Sequence, residues 1–231
     1  MAVRRTGTTE SLPKITAWSF SRWNDYCRCP FLAKCKYVLK LKEPDNKYMA
    51  RGSQIHKLAE DFALGKLKQL PPELAAFPDE FKKLRGLKPA IELQWAFTQT
   101  WQTTSWFGDD AWCRIKLDAT VVKNGKRFVI DHKTGKVREE HAEQLELYAM
   151  GSFLVFPEDE VEAQDWYLDL KKDDPNKIGG ADFTRDQLPS LQKDWERRVK
   201  PMLNDAIFLP KPNDMCRFCH FRKENSGPCK Y

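Results

Sequence analysis

From Ser19 to about Leu41 the apolar positions recur at helical spacing, with Phe20, Trp23, Phe31 and Leu32 as candidate core residues. Pro30 interrupts that pattern and marks the start of a new helical turn. After the polar run Glu43–Lys47, a second helix is expected to open at Gly52-Ser53. Its Ile55, Ala59, Phe62 and Ala63 stand at i, i+4, i+7 and i+8 and make one apolar face. Residues 71–90 are Pro-rich and irregular, with a short helix expected from Pro78 to Leu84. Then the texture changes. Ile91 to Thr100 reads as a strand, and Trp112 to Lys133 as two strands about Asn124-Gly125. Glu139 to Val155 reads as a helix, Ala163 to Leu170 as a strand and Gln187 to Ile207 as a helix. That order predicts a mixed α/β core spanning residues 15–209. Residues 1–14 read as a loose polar arm, and residues 210–231 as a cysteine-rich annex.

The most informative stretch is 112–133. Ile115, Leu117, Ala119 and Val121 alternate with Arg114, Lys116, Asp118 and Thr120, the period of a half-buried strand. Asn124-Gly125 is a strong hairpin signal, because a type I′ turn needs positive φ at both central residues. A two-residue loop sets the register: Lys123 faces Lys126, Val121 faces Phe128, Ala119 faces Ile130, and Asp118 faces Asp131. Two carboxylates then stand opposite one another with Cβ atoms roughly 5 Å apart, and Lys133 projects from the same face. Like charges so placed destabilise a sheet unless a cation holds them. Mg²⁺ or Mn²⁺ suits carboxylate oxygens and leaves ligand positions for water and phosphate. Lys133 is placed to orient a water or offset charge building on a phosphorane-like transition state. A surface hairpin with two solvated aspartates is the plain alternative.

Composition narrows the classes without choosing among them. The 231 residues are 41% hydrophobic and 31% charged, an ordinary globular balance. No run approaches the roughly 18 apolar residues of a membrane helix, and the opening residues lack the apolar core of a secretory signal, so a cytoplasmic location is expected. A net charge of +6 is compatible with a polyanionic partner and does not demand one. Seven cysteines are more telling, since in such a compartment they point to metal or reactive chemistry. Cys216, Cys219 and Cys229 offer three soft ligands near the end of the chain; a fourth must come from elsewhere, with Cys27, Cys29, Cys35 and His220 available and zinc one candidate. Cys113 reads as a buried free thiol. Trp95, Trp101, Trp106 and Trp112 punctuate the strand region; rings there can stack on unpaired bases but more often pack a sheet, and none is singled out.

Asp118 followed by Ile130-Asp131-His132-Lys133-Thr134-Gly135 resembles the D…(D/E)-x-K core of the PD-(D/E)XK nuclease superfamily. Gln144-Leu145-Glu146-Leu147-Tyr148 is similar to the Q-x-x-x-Y motif of its RecB/AddB-like branch, and Gly52-Ser53-Gln54-Ile55-His56 to that branch's G-x-x-x-H motif. The resemblance implies a restriction-endonuclease-like mixed sheet flanked by helices and a divalent-metal-dependent deoxyribonuclease. It implies an exonuclease acting on a free or single-stranded DNA end in recombination, repair or phage DNA processing, in a bacterial or phage setting and with a protein partner in such a complex. Asp118, Asp131, Lys133, Gln144 and Tyr148 would be catalytic, with His56, Asp118 and Asp131 on the metal; Glu92 is a weaker candidate, and Lys136 and Arg138 are placed to meet phosphate. Tyr26-Cys27-Arg28-Cys29-Pro30 resembles the Y-x-x-C-P segment of the iron–sulfur members of that branch, which include CRISPR-associated exonucleases. The resemblance therefore implies a structural [4Fe–4S] cluster on Cys29, Cys216, Cys219 and Cys229 that joins the two ends of the chain, with zinc as the alternative. A noncatalytic DNA-binding module stapled by zinc is the reading from a different class; it gives no reason for opposed acids.

Overall fold

The computed structural model describes residues 14–44 and 46–231, so all but Lys14 of the expected polar arm lies outside the described residues. Six strands form one sheet: β1 (Ala90–Phe97), β2 (Thr103–Thr104), β3 (Cys113–Lys123), β4 (Lys126–Lys133), β5 (Glu160–Tyr167) and β6 (Ile178–Thr184). Their order is β2-β1-β3-β4-β5-β6. Among the six strands, β4 and β5 pair in parallel and the other neighbours antiparallel, and helix α5 (His141–Val155) supplies the crossover that parallel pairing requires.

Helices cover both faces. On one, α1 (Phe20–Arg28), α5 and α6 (Leu188–Asn204) bring Trp23, Met150, Phe153 and Trp195 against Ile115, Leu117 and Val129. On the other, α3 (Lys47–Ala63) and α4 (Pro78–Gly86) bring Ile55, Phe62 and Phe81 against Ala119, Val121 and Ile130. This is the mixed α/β sheet between helical layers expected of a restriction-endonuclease-like fold. Helix α5 is buried almost all round, from Leu147 to Phe153, as befits an element pressed between sheet and outer helix. Its last carbonyls are held by one side chain: Arg185 donates to the carbonyls of Phe153, Phe156 and Glu158 and pairs with Asp159.

The hairpin has the predicted turn, with Asn124 and Gly125 at φ 53 and 78. Its register runs from Lys123↔Lys126 to Ala119↔Ile130 as counted from the sequence, and the paired ladder stops there, so the expected pairing of Asp118 opposite Asp131 is not formed. One step further lies an irregularity. Cys113, Ile115 and Leu117 pack into the larger core, yet Ala119 and Val121 pack into the smaller one, so the facing of β3 inverts at Asp118. On the neighbouring strand Glu92 takes φ 55, and the ladder passes from Ile91↔Ala119 to Leu93↔Leu117 without pairing Glu92 and Asp118. A left-handed glutamate costs roughly 1–2 kcal/mol, so local strain is concentrated beside this aspartate.

Several elements differ from expectation, among them the two-residue β2, which has no counterpart in the expected order. Helix α3 begins at Lys47, not at Gly52-Ser53, because Asn46 caps it by accepting from the Tyr48 N–H. Gly52 instead lies inside the helix, where a Cβ would stand 3.1 Å from Thr134 Oγ1; its role is close approach to the end of β4. Strand β6 was not expected, since Gly179 and Gly180 and an exposed face hide its alternation. The expected strand 163–170 forms three residues earlier, as β5.

Gly151 of α5 faces Ile115 and Trp95, and a Cβ there would meet their side chains at 2.7 and 3.2 Å. Gly151→Val is expected to destabilise the protein by roughly 1–3 kcal/mol, measured as a lower urea midpoint at unchanged m.

Candidate active site

Strand β4 and helix α5 meet through four side chains. Lys133 Nζ donates to Gln144 Oε1 at 2.5 Å, and Gln144 Nε2 donates to the Tyr148 hydroxyl at 2.5 Å. The Tyr148 hydroxyl donates to Asp131 Oδ1 at 2.6 Å, and Asp131 Oδ2 pairs with Lys133 Nζ at 2.6 Å. The four groups form a closed ring. It exists because Gln144 and Tyr148 are one helical turn apart and Asp131 and Lys133 two strand positions apart, so each pair presents one face.

Asp118 sits on the other side of the kink. Its Oδ2 accepts from the backbone N–H of His132 at 2.8 Å and stands 3.2 Å from His56 Nδ1 and 3.6 Å from His132 Nδ1. Helix α3 can place His56 there because Gly52, one turn earlier, lets the helix approach Thr134. Arg51 and the Gly135 N–H both bind the Asp169 carboxylate, which fixes the turn after β4 against the same helix. Glu92 lines the opening beside His56 and Asp118 and is ion-paired with Lys116.

The charges explain the arrangement. Burial works to raise the Asp118 carboxyl, but the His56 hydrogen bond, the neighbouring imidazoles and the His132 backbone N–H bring it down to about 2. It is an anion at any physiological pH. Asp131 is pushed up from the ordinary carboxylate range by burial and by the charge of Asp118, against the pull of Lys133. For Lys133, burial favours the neutral amine, but Asp131 and Asp165 outweigh it and hold the ammonium. His132 is buried against Phe81 and Trp166, which drops its imidazole to about 4 and keeps it neutral.

One acid in this site was not anticipated. Asp165 of β5 is the parallel-register partner of Asp131, 2% exposed, with Oδ1 3.7 Å from Lys133 Nζ. Burial lifts it to about 7, only partly countered by Lys133. Nothing local in Glu162-Ala163-Gln164-Asp165 signals this, because the register of a parallel pair is set by a crossover. Gln144 and Tyr148 therefore meet Asp131 and Lys133, whereas His56 meets Asp118 and His132.

The donor set fits a divalent cation. His56, Asp118 and His132 offer ligand atoms all within 4.8 Å of one another, and the carboxylate of Asp131 lies close enough for Asp118 to perturb it. A buried carboxyl raised by a neighbouring carboxylate, as Asp131 is by Asp118, is what a doubly charged ion would relieve.

The cysteines gather elsewhere. Cys29, Cys216, Cys219 and Cys229 line a cavity of about 90 Å³ between the N-terminal helices and the C-terminal segment. Backbone N–H groups of Lys211 and Asn213 donate to the sulfurs of Cys29 and Cys216, each at 3.3 Å. Cys35 is buried beside them in the π-helical turn Lys34–Val38, its thiol pushed up to about 11 by burial and then by Cys219, Cys229 and Cys29. Cys27 is exposed, and Cys113 is buried and free in the core. Trp95, Trp101 and Trp112 pack on the larger core, leaving Trp106 on a surface groove. Lys136 and Arg138 are exposed, Arg138 beside Glu140.

A family model described as the PD-(D/E)XK nuclease superfamily matches residues 17–119 and 113–223. The chain belongs to the PD-(D/E)XK nuclease superfamily. Membership implies metal-dependent nuclease activity, with divalent metal as cofactor and DNA as substrate. No curated protein matches the sequence significantly. Among solved structures, one titled "Crystal structure of SSO0001" aligns over 96% of this chain and 90% of its own, at 15% identity and a TM-score of 0.44. Among the described residues of this PD-(D/E)XK chain, no helix is long and apolar enough to cross a membrane.

Because the folded pKa of Asp165 is raised, its cost is absent near pH 4 and grows as pH climbs to about 7, where the folded state too becomes ionised. Asp165→Asn is expected to gain stability on the wild type across that window and to hold a constant advantage above it. Urea midpoints at pH 5 and pH 8, without added metal, check this; the same difference at both pH values would contradict it.

Proposed function

We propose that this protein is a divalent-metal-dependent DNA exonuclease of the RecB/AddB-like branch, resembling the CRISPR-associated iron–sulfur exonucleases and acting on DNA ends in recombination, repair or phage DNA processing. The observation that carries this reading is the closed ring of Asp131, Lys133, Gln144 and Tyr148 beside the His56–Asp118 pair. A protein that only binds DNA has no use for a buried lysine held between carboxylates, because burial makes each uncompensated charge costly.

His56, Asp118 and Asp131 would hold the catalytic cation. When bound there, a divalent ion supplies polarisation of the scissile phosphodiester and a more acidic attacking water. The protein's own groups do the rest. Lys133 stays protonated and offers its ammonium to charge developing on the phosphate oxygens. Gln144 and Tyr148 keep the Lys133 ammonium and the Asp131 carboxylate from drifting, so neither must reorganise during the reaction. Asp118, ionised throughout, holds the His56 imidazole at 3.2 Å and would orient it for that ion.

Residues 15–209 would form the nuclease domain, and residues 210–231 the segment that shares the second metal centre with the chain near Cys29. Four thiolates around a cavity of about 90 Å³, with N–H donors on two sulfurs, suit a structural [4Fe–4S] cluster better than a lone ion. Closing a span of that length removes chain entropy worth about 4–5 kcal/mol if it acts as a covalent cross-link does. The role of Cys29 rests on its place in the cavity lining, whereas Cys35 lies behind it and Cys27 faces solvent.

Asp118→Ala and Lys133→Ala are each expected to lower Mg²⁺- or Mn²⁺-dependent cleavage of end-labelled linear DNA by at least 10²-fold, with circular dichroism unchanged. Full activity in either variant would refute the site; equal cleavage of circular DNA would refute the exonuclease. Anaerobically purified protein is expected to be brown, with broad absorption lost in Cys216→Ala. A colourless preparation carrying one zinc per chain would replace the cluster with zinc.

A further inference from the structure

A groove of about 660 Å³ opens at the edge of the active site, with Asp118, Tyr148, Arg114, Arg22, Trp106 and Phe107 among its lining residues. The depression beside His56 shares Asp118 and Lys116 with it, so Asp118 lies where the two meet. Three features of this groove have no role in the ring chemistry.

The first is a pair of cations. Arg22 of α1 donates to the carbonyl of Ala17 at 2.6 Å, and Arg114 of β3 donates to the carbonyl of Trp106 at 2.7 Å. Main-chain carbonyls thus hold both guanidiniums, and no ion pair to either forms among the described residues. Burial and then the charge of Arg114 lower the Arg22 pKa, so the two cations feel one another. Two like charges in one concavity are unfavourable alone and favourable around an anion. The second feature is Phe107, which stands 86% exposed at the rim. The third is that this ring is presented by a pinned loop. The Gly108 N–H donates to the Ser105 carbonyl, Thr104 Oγ1 donates to Asp110 at 2.6 Å, and the Trp106 ring lies 5.9 Å from the Arg114 guanidinium.

Resting on the reading of this chain as a nuclease, we infer that Arg22, Arg114 and Phe107 make the groove select an unpaired strand. The arginines clasp one backbone phosphate beside the active site, and Phe107 stacks on an unpaired base. A protruding ring finds no free face on a duplex, where neighbouring bases already cover one another; on a single strand every base offers one. The arginines come from α1 and β3 and the ring from the loop before β3, and the folded chain brings them into one groove with Asp118. Phosphate contacts position the strand, and the stacked ring decides which kind of strand stays.

The test is binding of fluorescein-labelled oligonucleotides, single-stranded and duplex, by full-length protein with Ca²⁺ replacing Mg²⁺. Phe107→Ala should weaken single-strand binding on the order of tenfold and change duplex binding less than twofold. Because Phe107 is exposed, thermal melting should not move. Arg22→Gln with Arg114→Gln should lower the salt dependence of single-strand binding by about 0.7 in the log–log slope per lost phosphate contact, and Arg22→Lys with Arg114→Lys should restore most of it. Unchanged single-strand affinity in Phe107→Ala, or equal losses on both substrates, overturns the inference. Cleavage by the wild type is measured in parallel with Mg²⁺. A wild type that cleaves DNA while Phe107→Ala binds normally sinks the strand selection and spares the nuclease; an inert wild type with the predicted binding losses sinks the nuclease reading and leaves a single-strand binding groove.

Discussion

A buried ammonium held between a strand and a helix organises this molecule. Lys133 could not stay charged so deep unless its N–H groups found acceptors, and Asp131 and Gln144 accept from them while Tyr148 completes the ring. Removing any one member would strand another with an unmet charge or donor, the costly case for buried polar groups. The ring also dictates the fold around it. Helix α5 must lie flat on β4 with its Gln144–Tyr148 face inward, and Gly151 supplies the clearance for that approach. The parallel β4–β5 pair follows from the same crossover and brings Asp165 to the edge of the ring.

The inversion at Asp118 divides the labour between the two faces. On the α5 face Asp131 is buried and already matched by Lys133 and Tyr148; on the α3 face Asp118 is met by the imidazoles of His56 and His132 and by the His132 backbone N–H. Strain at Glu92 is the local cost of turning one aspartate toward the opposite core. A strand that kept its alternation would aim Asp118 at α5 alone and leave His56 without a partner.

How much of this is legible in the sequence depends on how local each cause is. The hairpin register can be counted from Asn124-Gly125 because two residues with positive φ define it. The Gln144 and Tyr148 pairing follows from helical spacing. The start of α3 is misread, because Gly52 resembles a helix boundary when its actual part is contact with Thr134, which no neighbour in sequence reveals. Asp165 and β6 are hidden for a related reason: both depend on how β5 is laid beside β4 after fifteen residues of helix. The inversion of β3 is likewise invisible, since its polar–apolar alternation continues unbroken through Asp118 while the face it points to changes.

Arg185 gives the site a long mechanical arm. By gripping the carbonyls of Phe153 and Phe156, it stops α5 from sliding along its own axis. Gln144 is nine residues away, about 14 Å of rigid rod. The junction between β6 and α6 is therefore anchored to the same helix that carries Gln144 and Tyr148. Arg185 thus bears on the helix whose Gln144 accepts from the Lys133 ammonium.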